Sequence, residues 1–282
     1  MYYLTFSGMV NVVLNLFFVI VLRMGVDGLA WATNISQYIA MALILLYLSK
    51  SDRAIRLFPK KLRIDREKLL RIVKIGLPAG LQNLLFSISN VLVQAAINSF
   101  GSALVAASSA ASNIEGFVST AMNAYYNAAI TFTGQNMGAK KYERIDKVAQ
   151  VSTVLIFISW IVVGGLTMLF ARTLLGIYTA DAHIIDLGVI RINVLMVAYF
   201  TCGIMNVFPG ITRGMGFSVT PMLCTLLGAC LLRIVWLWTF FAWNPTVVML
   251  FACYPVTWTV AGIGQVAAFY HARKKVRLIS EG

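Results

Sequence analysis

The chain has 282 residues, 60% of them hydrophobic and 12% charged, with a mean hydropathy of +0.82. Soluble domains hold about 45–50% apolar and about 25% charged residues, so this composition excludes a disordered chain, a nucleic-acid-binding domain and a simple soluble enzyme. It places nearly the whole chain in a lipid bilayer. The net charge of +13 reads as membrane topology, because the Lys and Arg residues cluster beside apolar stretches.

Eight segments hold the roughly 20 mainly apolar residues that a spanning helix needs. They are 2–22, 28–48, 75–99, 102–133, 148–170, 186–208, 217–241 and 247–270. Each is too long for a strand and none alternates with period two. The sequence therefore predicts an all-α polytopic membrane protein with about eight transmembrane helices, and not a barrel. The first 22 residues carry no charge, unlike a signal peptide, which opens on positive charge. They read as the interior of a larger membrane protein. Residues 49–74 form the longest polar stretch, a basic linker with Pro59 and a helical-looking run over 64–74.

Eight spans put both termini on one side. With 49–74 in the cytoplasm, 136–147, 209–216 and the tail from 271 fall there too. These segments hold nineteen of the 23 basic residues: ten from Lys50 to Lys74, four from Lys140 to Lys147, Arg213, and four from Arg273 to Arg277. Arg23, Arg172 and Arg191 fall on the other side, and Arg233 inside the seventh span. The bias predicts a multi-pass protein of the cell (plasma or inner) membrane with both termini of this chain cytoplasmic.

Polar groups within spans are costly and mark pathways or helix contacts. The first span carries Asn11 and Asn15, four apart on one face. The third carries Asn83, Ser87, Asn90, Gln94 and Asn98, flanked by Gln82. The fourth carries Ser108, Ser112, Glu115, Ser119, Asn123 and Asn127 at spacings of three and four, a single helical face. Two such stripes suit either a shared water-filled cavity or interhelical hydrogen bonds. Glu115 is the only acid well inside any span. It is the candidate for coupling to a proton or another cation; a protonated Glu in a helix contact is the other reading. Arg233 is its possible charge partner, or snorkels outward. Pro78 and Pro255 lie within spans and Pro209 ends one, while Trp236, Trp238 and Trp243 read as an interfacial belt. Cys202, Cys224, Cys230 and Cys253 read as apolar filler, and His183 and His271 have no ligand partner. No catalytic, metal or cofactor constellation is present and there is no Walker loop, so the chain reads as a transporter driven by an ion gradient and not as an enzyme.

The run Gly134-Gln135-Asn136-Met137-Gly138-Ala139, followed by Lys140, Lys141 and Arg144, resembles a loop of the multidrug and toxic compound extrusion (MATE) transporters. So do Gly76-Leu77-Pro78-Ala79-Gly80 at the head of a span, and Asn11-Val12-Val13-Leu14-Asn15 followed by 25–33. The resemblance covers essentially the whole chain. It implies two six-helix lobes facing each other, of which 1–48 would supply the last two helices of the amino-terminal lobe. Residues 49–74 would be the basic cytoplasmic linker, 75–272 the carboxy-terminal six-helix lobe, and 273–282 a basic cytoplasmic tail. Four amino-terminal helices would be missing. The position of Asn15 is Asp in several branches of the family, which weakens an ion site on this helix.

The resemblance implies a secondary antiporter that exports small drug-like organic cations or other xenobiotics against proton or sodium entry, by alternating access. Glu115 would exchange the coupling ion; this role comes by elimination. Asn11, Asn15, Gln82, Asn83, Ser87, Asn90, Gln94, Ser112, Ser119, Asn123 and Tyr126 would line the path, with Tyr125 and Phe117 nearby. The alternatives are a lipid-linked or polysaccharide flippase of a related fold, and an inactive fragment.

Overall fold

The computed structural model describes residues 2–50, 56–58 and 63–281. Among these residues there is no strand. The chain divides into two compact units, 1–66 and 67–282. Pro59 lies outside the described residues.

The first unit is a helical hairpin of α1 (Tyr3–Val21) and α2 (Val26–Lys50). Its seam is built from small and polar residues. Ser7 Oγ donates to the Ser36 carbonyl at 2.5 Å. Asn11 Nδ2 donates to Ser36 Oγ at 3.2 Å, and Asn15 Nδ2 donates to Asn11 Oδ1 at 3.1 Å. Ala32 is fully buried in the same seam. Small side chains bring two backbones close enough for such bonds in lipid, where apolar burial gives little drive.

The second unit holds α3 (Arg66–Asn98), α4 (Ser102–Gly138), α5 (Glu143–Leu169), the short α6 (Ala171–Gly176), α7 (Ala182–Val197), α8 (Tyr199–Gly214), α9 (Val219–Phe241) and α10 (Val247–Glu281). The polar run over 64–74 does not stand apart from the third span, since α3 begins at Arg66 and runs through it. Asp181 starts α7 by accepting from the His183 N–H at 2.9 Å, an N-cap that satisfies an otherwise orphaned donor.

Among the described residues six helices can cross a membrane by length and composition, or seven if the bent pair α7 and α8 is one span. With α4, 37 residues long but striped with Ser, Asn and Glu, that makes eight long segments. The span expected over 186–208 is not one continuous helix. It breaks at Ala198 into α7 and α8, inclined by 53°. The break is a tightening to three-residue turns: the Ala198 N–H donates to Leu195, and the Thr201 N–H to Ala198. Pro209 does not end the span, for α8 continues through it to Gly214.

The core runs along α4, α8 and α10, where Ile114, Met122, Ile211, Phe251 and Ala261 are buried. Glycines on one face of α8 set the approach to α4. A Cβ at Gly210 would lie 2.9 Å from the Tyr126 ring, and one at Gly214 2.6 Å from Thr133 Cβ. Glycine is needed there for space rather than for backbone freedom. Part of the tail expected over 273–282 is helical, because α10 runs on to Glu281. Arg273 is buried in α10 and grips Asp146 of α5 through Nε at 2.8 Å and Nη2 at 2.9 Å.

Candidate functional site

Glu115 of α4 is not an isolated carboxylate. Arg191 of α7 donates to it through Nε to Oε1 at 2.9 Å and Nη2 to Oε2 at 3.0 Å. This forked geometry is the strongest arrangement a guanidinium and a carboxylate can take. Side-chain exposure is 7% for Arg191 and 14% for Glu115, so the pair is largely out of solvent. Two sequence expectations are corrected by it. Arg191 is not an outer-face charge, because α7 turns it inward onto α4. Arg233 is not the partner of Glu115, because that carboxylate is already taken.

Arg233 of α9 does not snorkel either. It is fully buried, and its Nη1 donates to Asn90 Oδ1 of α3 at 2.6 Å. Its Nε and Nη2 have no hydrogen-bond partner among the described residues. Aromatic faces take up the remaining charge. The guanidinium lies 4.6 Å from the Tyr254 ring centre and 5.3 Å from that of Phe86. Arg191 lies 6.0 Å from the same Tyr254 ring and 5.2 Å from Phe251. Two cations thus flank one tyrosine of α10, where ring quadrupoles favour positive charge. Arg191 has a carboxylate partner, and Arg233 has an amide oxygen and ring faces.

A second polar level lies further along α4. Arg213, at the end of α8, donates through Nη2 to Gln82 Oε1 at 2.5 Å and through Nη1 to the Tyr126 hydroxyl at 2.8 Å. Gln82 in turn donates to Thr225 Oγ1 at 2.8 Å, and Gln265 of α10 donates to the same hydroxyl at 3.0 Å. These groups border a cavity of about 220 Å³ lined by Gln82, Asn83, Asn123, Tyr126, Met205, Asn206, Pro209 and Arg213. Its one charged lining residue is Arg213. Amides and a phenol supply the other polar contacts, a set that can both donate and accept.

The structure thus gathers Gln82, Asn83, Asn123 and Tyr126 around one cavity and places Asn90 against Arg233. Ser87, Gln94 and Ser112 are exposed and do not border it. Gln94 bonds Asn98 along its own helix at 3.0 Å, and Ser119 bonds the Gly116 carbonyl at 2.9 Å. Asn11 and Asn15 serve in the hairpin seam of the first unit. Sequence reasoning missed Arg213 by assigning it to a loop. The signal was there, since it is the only charged residue between Arg191 and Arg233. No group of three or more His, Cys, Asp and Glu side chains among the described residues is placed to hold a metal ion.

The MatE family profile matches residues 78–239. The chain is 24% identical over 241 residues to the probable multidrug resistance protein YpnP of Bacillus subtilis, covering 86% of this chain and 54% of that protein. It is 24% identical over 208 residues to the probable multidrug resistance protein NorM of Thermotoga maritima, covering 73% and 44%. The chain therefore spans about half the length of these curated relatives. Its fold is similar to the bent form of the Vibrio cholerae MATE transporter VcmN, with a TM-score of 0.84 at 21% identity, over 96% of this chain and 61% of that one. It is also similar to a MOP superfamily transporter from Pyrococcus furiosus described as having a binding pocket of reversed polarity, with a TM-score of 0.86 at 20% identity, over 97% and 61%.

Proposed function

Because the chain belongs to the MATE family, we propose that the protein it forms is a secondary antiporter that exports drug-like amphiphiles in exchange for a proton or sodium ion. The observation that carries this reading is the buried Glu115–Arg191 pair, which joins α4 to α7 just before the bend at Ala198. Such a pair is a two-state element. Ionised, Glu115 holds α7 against α4. Protonated, or bound to a cation, it releases Arg191, leaving two guanidinium groups beside Tyr254 and neither paired with a carboxylate. Their repulsion favours a rearrangement of α7, which is how ion binding would bias one access state over the other.

The cavity at Arg213 is the candidate substrate contact in this unit. An organic cation needs a carboxylate or an exposed aromatic face to replace its hydration. Here a tyrosine ring is offered but the lining charge is positive. This favours neutral or anionic polar groups on the substrate over permanent cations. Arg213 is also what favours a second reading, a flippase for a lipid-linked anionic headgroup.

The test is drug efflux from cells expressing the full-length protein. Glu115→Gln removes the exchangeable charge while keeping the shape. The expected result is loss of gradient-driven efflux with the protein still present in the membrane. Wild-type resistance in that variant overturns the coupling role.

A further inference from the structure

The glycine-flanked end of α4 and the basic segment after it take no part in either charged level. There a cavity of about 770 Å³ opens between the α4–α5 turn and the end of α10. Five basic side chains border it, among them Lys140, Lys141, Arg144 and Arg273, against Glu143 and Asp146. Asp146 is already engaged by Arg273, and Arg277 Nη2 donates to it at 3.3 Å. Arg273 is 5% exposed, and its Nη1 has no hydrogen-bond partner among the described residues. The turn that carries the lysines is fixed by backbone bonds. The Lys141 N–H donates to the Asn136 carbonyl at 2.9 Å, and Lys140 takes a φ of +57°, the left-handed residue of a helix-terminating motif.

An apolar groove of about 480 Å³ adjoins this cavity and shares Arg144 with it. It runs between α4 and α5 along Phe132, Val148, Val151 and Leu155, with Lys147 at its rim. Phe132 and Val151 are more than half exposed. From Arg144 to Leu155 the helix rises roughly 16 Å at about 1.5 Å per residue, comparable to an extended acyl chain.

We propose that cavity and groove together bind one anionic phospholipid. The phosphate sits among Lys140, Lys141 and Arg144, beside the Arg273 guanidinium that borders the same cavity, and an acyl chain lies in the α4–α5 groove. The excess of basic over acidic side chains selects an anionic headgroup over a zwitterionic one, and guanidinium groups suit phosphate oxygens. A free phosphate ion shares that chemistry but gives no role to the groove that continues from the cavity.

The experiment is lipid binding to the purified full-length protein, read by native mass spectrometry and by thermal melting in detergent. Phosphatidylglycerol is compared with phosphatidylcholine, and inorganic phosphate and glycerol 3-phosphate serve as competitors. Phosphatidylglycerol is expected to be retained and to raise the melting temperature, with phosphatidylcholine ineffective. Lys141→Gln and Arg144→Gln should each weaken it about fivefold, as expected for one basic residue near an anionic lipid surface, while Arg144→Lys retains binding. Val151→Trp, which fills the groove, should weaken the lipid and leave inorganic phosphate unaffected. Both lysine and arginine positions are exposed, and melting without lipid reports whether each variant is folded. Equal retention of the two lipids, or unchanged phosphatidylglycerol binding in the Lys141→Gln/Arg144→Gln variant, overturns the proposal. So does displacement of the lipid by equimolar inorganic phosphate, which would make the site one for phosphate alone.

Discussion

The two charged levels of the second unit use arginine in opposite ways. At the Glu115 level, Arg191 is paired in a fork and Arg233 is packed between aromatic rings with one amide acceptor. Arg191 is compensated by a carboxylate, and Arg233 by one amide oxygen and the faces of Tyr254 and Phe86. At the Arg213 level the guanidinium meets only neutral acceptors, Gln82 and Tyr126, beside a cavity. A buried charge that is fully compensated holds helices in one arrangement. A charge left beside open space with neutral partners keeps capacity for a ligand. The difference teaches which level can act as a switch and which as a contact.

That comparison can be broken by stability measurements. The largest effect is expected for Arg191→Leu, which strands the Glu115 carboxylate. Removing one partner of a buried pair costs about 3–5 kcal/mol, measurable by equilibrium unfolding in micelles. Adding Glu115→Gln to that variant should recover most of the loss, because no buried charge is then unpaired. A double variant no more stable than the single one would mean that the pair is not the source of the effect.

A smaller loss is expected for Gly210→Val. Its new Cβ meets both the Tyr126 ring and, at 3.0 Å, the Tyr126 backbone carbonyl. A carbonyl on a packed helix cannot move aside cheaply, so overpacking should cost about 1–3 kcal/mol and should pull Tyr126 away from Arg213. Thermal melting gives the first number, and substrate affinity reports the second. The smallest effect belongs to Tyr126→Phe, which deletes one neutral acceptor of Arg213 and should lower stability by about 0.5–1.5 kcal/mol. If this variant were as damaging as Arg191→Leu, the cavity level would be as much a structural clamp as the level at Glu115, and the contrast would fail.

Much of the site was legible before any coordinates. The periodic stripes held Asn83 and Asn123, with Gln82 and Tyr126 beside them, and these four border one cavity; Glu115 stood out as the one acid deep in a span. Helical spacing reports which face of its own helix a residue occupies. It says nothing about which other helix that face meets. Hence Arg233 stood as the possible partner of Glu115 where the structure has Arg191, and Arg213 was taken for a loop charge. Ser87, Gln94 and Ser112 carried the right spacing yet do not border the cavity at Arg213, since a polar face can also point away from the core.

By itself the sequence determined that the chain is helical and membrane-embedded, and which residues are costly to bury. Composition and period act through local backbone geometry and through transfer between water and lipid, and both are properties of each segment alone. Only the tertiary structure decided that Arg191 reaches Glu115, that Arg233 rests against Asn90 and Tyr254, and that α10 carries Arg273 to Asp146. Those contacts join residues 76, 143 and 127 positions apart. Contacts at such separations depend on how helices approach one another, as at Gly210 and Gly214, where the shape of one helix sets what its neighbour can touch.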